Sequence, residues 1–284
     1  MIDQIKTRKL NADEAAKGLR LSTQAGWNQT ISEWNLILND PASICLCAEL
    51  DNQVIATAAA IHYSPEFTWV AMVLTDSNFR NRGIGTQLLS NLFDSIGNQH
   101  DIKLDATSMG QRVYRQFGFM EEYKIIRFMH SSLAPDFRQN KNIKMASGQD
   151  YSYLIQSDKT RFGADRSGFF KWMQIHFSRY TYLITENDEI NGFIMGREGK
   201  NYVHLGPLIA TSITYATKLV EYTLSLHHAQ PVIMDVPEYN KELISWLESK
   251  GFSRQREFIR MYKNKKENAA SLPHHYLIAG PEFG

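Results

Sequence analysis

Arg80-Asn81-Arg82-Gly83-Ile84-Gly85 follows the apolar stretch Trp69 to Thr75 and opens the amphipathic run Ile84 to Ile96. Two glycines allow a tight turn and a close approach of ligand to backbone. The first N–H groups of the following helix have no acceptor within it, so the turn is suited to an anion. Ile84, Leu88, Leu89, Leu92, Phe93 and Ile96 recur at helical spacing, which packs one helix face on a sheet and fixes the N-terminus in space. Two common phosphate motifs do not fit. Gly85 is followed by Thr86-Gln87, with no lysine for terminal phosphates, and Leu88 stands where a dinucleotide fingerprint has its third glycine. Asp105 does lie at a distance compatible with a ribose contact.

Val70 to Leu74 supplies a strand before this turn and Ile102 to Thr107 another after the helix. Then comes Val113-Tyr114-Arg115-Gln116-Phe117-Gly118-Phe119. The Arg-x-x-Gly-x-Gly pattern, followed by a tyrosine and Gly-Phe, resembles the two signatures of the GCN5-related N-acetyltransferases (GNAT). The resemblance implies acetyl-CoA as cofactor and no metal. Amides from Arg82, Gly83, Ile84, Gly85 and Thr86 would hold the pyrophosphate, and Arg80 and Arg82 would add phosphate contacts. The backbone of Val73 and Leu74 would pair with pantetheine, and Tyr114 would donate a proton to the coenzyme A sulfur. Many members carry a glutamate on the strand before the loop, but residues 68–74 contain no acid. His62, with a suitable ordinary pKa, and Asp105, at a strand end where α/β sheets bind ligands, remain alternative bases.

The elements that must position these residues read as strands at 2–8, 44–50, 54–62, 68–74, 102–107 and 122–130, with helices at 12–25, 31–38 and 84–96 and a short helix carrying Tyr114. A polar stretch with Pro135 follows. The pattern then repeats: strands at 182–185, 190–195 and 203–209, a helix at 212–226, a strand at 232–236, a helix at 241–250, Gly251-Phe252, and a strand at 257–262. Lys103-Leu104-Asp105-Ala106 corresponds to Ile233-Met234-Asp235-Val236, and Gly118-Phe119 to Gly251-Phe252. Between them the second copy has Leu208-Ile209-Ala210-Thr211-Ser212 in place of the glycine turn, and Leu247 in place of Tyr114. The expected fold is α/β (α+β): tandem GNAT-like domains, each a mixed, mostly antiparallel twisted sheet flanked by helices. Residues 1–130 form the cofactor domain, 131–142 a linker, and 143–284 a degenerate copy for substrate binding or cleft closure. Gly26 to Thr30, Phe162 to Arg166, Gly206-Pro207 and Gly280 to Gly284 are similar to a bacterial two-domain subfamily.

For the acceptor, a cationic amine calls for carboxylates and aromatic faces. Trp27, Asn28, Asp165, Asp235 and Glu282 supply them if the two halves face one another, giving a small-molecule amine as partner. Thirty-one basic residues against thirty acidic ones give no electrostatic case for nucleic acid or an anionic membrane. The N-terminus lacks the apolar core of a signal peptide, so a cytoplasmic location is expected, as a monomer or homodimer. Cys45 and Cys47 share one strand face as buried thiols, and His227-His228 and His274-His275 read as polar helix-end and tail residues. The expected reaction is N-acetyl transfer. The alternative is a non-catalytic acyl-CoA sensor that kept the loop and lost turnover.

Overall fold

The computed structural model describes residues 5–63, 65–97, 101–131, 140–227, 230–264 and 273–284. In the first half, β1 (Lys6–Lys9), α1 (Ala15–Gln24) and α2 (Ile31–Asn39) precede an antiparallel run of β2 (Ile44–Leu50), β3 (Gln53–Tyr63) and β4 (Phe67–Thr75). Then come α3 (Ile84–Ile96), β5 (Ile102–Thr107), α4 (Ser108–Gln116) and β6 (Met120–His130). The second half repeats the plan with β7 (Ile143–Met145), α5 (Tyr151–Phe162), α6 (Ser167–Phe177), β8 (Tyr182–Glu186), β9 (Glu189–Glu198) and β10 (Val203–Ala210). It ends with α7 (Ile213–Leu226), β11 (Val232–Pro237), α8 (Lys241–Ser249), β12 (Ser253–Lys263) and β13 (His275–Leu277). The mixed, mostly antiparallel sheet flanked by helices is the one expected from the sequence. Of the expected linker, residues 132–139 lie outside the described residues, as do residues 2–4 of the first expected strand. Four elements were not anticipated: β7, α5, α6 and β13.

The strands form one sheet in the order β1-β2-β3-β4-β5-β12-β6-β11-β10-β9-β8-β7, with β13 beside β10. Chain order breaks at the centre. There β12 lies between β5 and β6, and β6 lies between β12 and β11. Each half's last long strand therefore completes the sheet of the other. Two ion pairs tie the exchange: Arg260 on β12 grips Asp105 on β5 (Nε–Oδ1 2.8 Å, Nη2–Oδ2 2.9 Å), and Arg127 on β6 grips Asp235 on β11 (2.7 and 2.6 Å). Because both geometries are bidentate, each buried charge is matched by two directed hydrogen bonds.

The sheet's two faces carry different cores. One face packs Val70, Leu104 and Ala106 against Leu88, Leu89 and Leu92 of α3. The opposite face gathers Trp69, Met72, Trp34, Phe162 and Phe283 from both halves. The segment after β13 runs across this second face: Trp69 Nε1 donates to the Pro281 carbonyl (3.0 Å) and Arg166 Nη1 to the Gly284 carbonyl (2.5 Å).

Candidate active site

Parallel strands β4 and β5 pair only at Thr68↔Ile102 and Trp69↔Lys103, after which they diverge into a fork. On the other side of β4, the register against β3 slips between Thr57↔Leu74 and Ala59↔Ala71, so two residues of β4 oppose one of β3. This is a bulge. Met72 sits there with φ 52°, a left-handed conformation that a non-glycine side chain adopts at a cost. Thr57 Oγ1 holds its carbonyl at 2.9 Å. The bulge changes the direction of the Val73–Leu74 backbone at the opening of the fork, where an extended ligand would find hydrogen-bonding partners.

The glycine turn stands at the fork's end. Gly83 caps α3 with φ 76°, and a Cβ built on it meets nothing within 4 Å, so the space above the turn is open. The first intrahelical bond is Gln87 N to Gly83 O, 2.9 Å, which leaves the amides of Ile84, Gly85 and Thr86 without an acceptor inside the helix. Arg80 and Arg82 are exposed and fold back on the turn, donating to the carbonyls of Thr75 (3.2 Å) and Asn78 (3.0 Å). These features fit a pyrophosphate at the helix N-terminus and a pantetheine arm in the fork.

Sequence reasoning passed over what anchors the turn. Asp76 accepts from Asn78 N (3.1 Å), from Arg20 Nη1 of α1 (2.7 Å) and from Gln24 Nε2 (3.1 Å), while Arg20 also reaches the Val54 carbonyl (2.6 Å). Burial alone would raise the Asp76 carboxyl, but these donors hold it below its usual range. The available signal was Asp76-Ser77-Asn78, an Asx-type turn directly before the motif.

Tyr114, on α4, lies on the α3 side of the sheet with Phe119 (ring centroids 5.8 Å), and the Thr107 hydroxyl caps the helix by accepting from Gly110 N (3.2 Å). Burial pushes its phenol well above the ordinary value, so it stays protonated. His62 pairs with Thr68 in register and its Nδ1 lies 2.7 Å from Thr68 Oγ1. Alternation puts both with Ala60 and Val70, on the α3 face and at the closed end of the fork. Asp105 faces the other way and is held by Arg260, whose guanidinium stands well above its ordinary value because the Asp105 carboxylate outweighs the cost of burial; the Asp105 carboxyl is itself raised, because burial outweighs the pull of that guanidinium.

Of the sequence-proposed acceptor residues the structure joins Asp235 and Glu282, in one buried network through His204 and Arg197, and places Trp27, Asn28 and Asp165 elsewhere. Asn28 Oδ1 accepts from Asn201 N (2.9 Å) and Tyr202 N (3.0 Å), so it clamps the β9–β10 turn, while Trp27 packs half-buried against the shared core. Asp165 caps α6 through Ser167 N (2.8 Å) at the surface. Glu282 shares Arg197 with Glu33. Asp235 is held by Arg127, with His204 Nε2 3.0 Å away; burial would raise this carboxyl, but the two partners keep it well below the carboxylate range. The tail is not polar surface either: His275 is 2% exposed. Cys45 and Cys47 are free, and burial raises their thiols to about 12 and about 11, so both remain protonated. Among the described residues no cluster of His, Cys, Asp and Glu suits a metal, and no helix is long and apolar enough to cross a membrane.

The second half has the same fork. Strands β10 and β11 pair at Val203↔Val232 to Leu205↔Met234 and then diverge, but β13 occupies the opening. Leu208 pairs with Leu277, and Ile278 N donates to Asp235 O at 3.1 Å. A Cβ on Gly206 (φ 146°) would lie 2.0 Å from the Ile278 carbonyl, so only glycine admits the strand there.

The family described as "Acetyltransferase (GNAT) domain" matches residues 41–121 and, through a second model of the same description, residues 154–277. A Bacillus subtilis (strain 168) protein named "Uncharacterized N-acetyltransferase YitH" is 21% identical over 260 residues, covering 91% of each chain. "Holothin acyltransferase" of Pseudoalteromonas sp. (strain SANK 73390) is 22% identical, covering 76% of this chain and 74% of its own. Among solved structures, a provisionally assigned acetyltransferase of Pyrococcus horikoshii superposes with a TM-score of 0.81 at 21% identity, covering 99% of this chain and 96% of that one. A tandem GNAT protein from the clavulanic acid biosynthesis pathway gives 0.67 at 11%, covering 93% and 100%. At these identities the likeness to solved structures carries the fold.

Proposed function

Because this chain belongs to the GNAT acetyltransferases, we propose that it transfers an acetyl group from acetyl-CoA directly to the amine of a small molecule in a ternary complex. Only the first half carries the cofactor. The observation behind this reading is the pair of forks: one ends at an open glycine turn, and the other is filled by the chain's own β13. That strand hydrogen-bonds to β10 and β11 as an extended, amide-bearing ligand does, which supports the first fork as a pantetheine site.

Acetyl-CoA, when bound, supplies an activated thioester. The amides of Ile84, Gly85 and Thr86 fix its pyrophosphate, and the Met72 bulge turns the Val73–Leu74 backbone to pair with its arm and offer an N–H where negative charge develops on the carbonyl. Tyr114, still protonated, gives its proton to the departing sulfur from the α3 side. The amine therefore attacks from the opposite face.

Calorimetry with coenzyme A should give one site per chain, and thiol release in the presence of amines should report turnover. Tyr114→Phe should lower kcat about a hundred-fold and leave acetyl-CoA affinity unchanged. Two coenzyme A sites per chain would refute the single-cofactor reading. Binding without turnover on any amine would favour the sensor alternative.

A further inference from the structure

A strip of side chains, one per neighbouring element, crosses the face opposite α3 from the mouth of the fork. Asp105 on β5 pairs in register with Arg260 on β12, which pairs with Tyr123 on β6. Tyr123 meets Tyr239, just past β11, edge to face with ring centroids 5.3 Å apart. The Arg260 guanidinium is sandwiched between the Trp69 ring (4.8 Å) and the Tyr123 ring (5.3 Å). Tyr123 and Tyr239 are half-buried, and the Tyr239 hydroxyl, although beside Tyr123, is enclosed without a properly directed hydrogen bond. Asn240, the next residue, holds the His275 carbonyl at 2.9 Å. The His275 Nε2 is likewise buried without a partner among the described residues. Such atoms are costly to enclose, and here two are found on adjoining segments at the far end of the strip.

The strip's charges are already matched. Asp105 is taken by Arg260, and Lys103, on the same face of β5 two residues earlier, lies 3.3 Å from Glu122. Further along the face, Asp235 is held by Arg127, Asp158 by Arg166, and Glu33 and Glu282 by Arg197. The carboxylates named on this face are each already paired with a cation, so an arriving ammonium would meet Arg260 and Lys103 without an unpaired carboxylate among them. His62 stands on the other face.

We infer that the acceptor is a planar, weakly basic amine, of the aryl or heteroaryl kind, lying along the Asp105–Arg260–Tyr123–Tyr239 strip with a polar ring substituent on the Tyr239 hydroxyl. This rests on the acetyltransferase reading above. Such an amine is neutral before it binds. Its nitrogen lone pair forms the C–N bond, the C–S bond breaks, the sulfur takes the Tyr114 proton, and the proton shed by nitrogen passes to water and restores Tyr114. No further reactant is needed.

Hydroxyl-substituted anilines and size-matched benzylamines, assayed by coenzyme A release, test this. The anilines should react with kcat/KM flat between about pH 6 and pH 9, whereas the benzylamines, mostly protonated at pH 7, should be slower there and speed up as pH rises. Tyr239→Phe should raise KM for the hydroxylated anilines several-fold with kcat and acetyl-CoA affinity preserved. A preference for benzylamines at pH 7, no transfer to anilines despite intact acetyl-CoA binding, or an unchanged KM in Tyr239→Phe would each overturn the inference. Loss of acetyl-CoA binding in the unmodified protein would instead remove the acetyltransferase reading on which it rests.

Discussion

Gly83 holds a left-handed turn beneath open space, so a methyl group there acts twice. Gly83→Ala should cost about 1 kcal/mol of stability for the backbone alone and place carbon where a phosphate would lie, raising KM for acetyl-CoA about ten-fold or more as read by thiol release. Asp76→Ala should produce a related defect from outside the motif, because it frees the turn from Arg20 and Gln24. We expect a several-fold rise in KM at nearly constant kcat. Two of the buried acid-base groups of the second half, His275 and Asp235, predict a pH dependence of stability. Burial first, then the charges of Arg166 and Arg260, lower His275 to about 3 in the fold, against about 6.5 for an unfolded histidine. The unfolded chain therefore binds the extra proton, and stability, level above about pH 6.5, falls as pH drops toward 3. The depressed Asp235 carboxyl acts in the same direction: its contribution is present above the unfolded carboxylate pKa of about 4 and is lost on further acidification. Urea unfolding across this range should show the decline, and His275→Gln should flatten its upper part.

At the scale of elements, the forks and the exchange carry the architecture. Asp105→Asn leaves Arg260 buried without an anion and should cost about 3–5 kcal/mol, seen as a large fall in Tm. Gly206→Ala would drive a methyl group into the Ile278 carbonyl and should release β13, which limited proteolysis of the 273–284 segment would reveal. Much of this was legible in the sequence because it is local: the run at 84–96 has a helical period, and 44–50, 54–62 and 68–74 fall within the observed strands. Asp105 and Asp235 were recognised as equivalents, but as candidate chemistry. Their partners Arg260 and Arg127 lie 155 and 108 residues away, and nothing in local pattern announces such a pair. The short β13 was missed for a similar reason, since three residues carry no periodicity and its place depends on the fork that receives it.

For the whole molecule, the exchange means that neither half owns a complete sheet. Residues 1–131 lack the strand that covers β5, and residues 140–284 lack the one that covers β11. Produced separately, each should show poorly dispersed amide resonances and associate through its open edge. Mixed, they should form a one-to-one complex with regained acetyl-CoA binding, measurable by gel filtration and calorimetry. A sequence that repeats in order suggests two independent domains side by side, and the two family matches at residues 41–121 and 154–277 agree with the repeat. The exchange lay beyond that reading because β6 and β12 have similar alternating patterns, and either satisfies either place in the sheet.

The same exchange governs how the chain emerges from the ribosome. The first half leaves the ribosome early, yet its β5 edge stays uncovered until residues 253–263 have followed. Throughout that interval the nascent chain displays a bare strand beside an apolar face, the kind of surface that holding chaperones recognise and that polysomes bring close to other copies. Synonymous-codon changes or pauses between codons 131 and 253 should therefore affect soluble yield more than pauses elsewhere in the message.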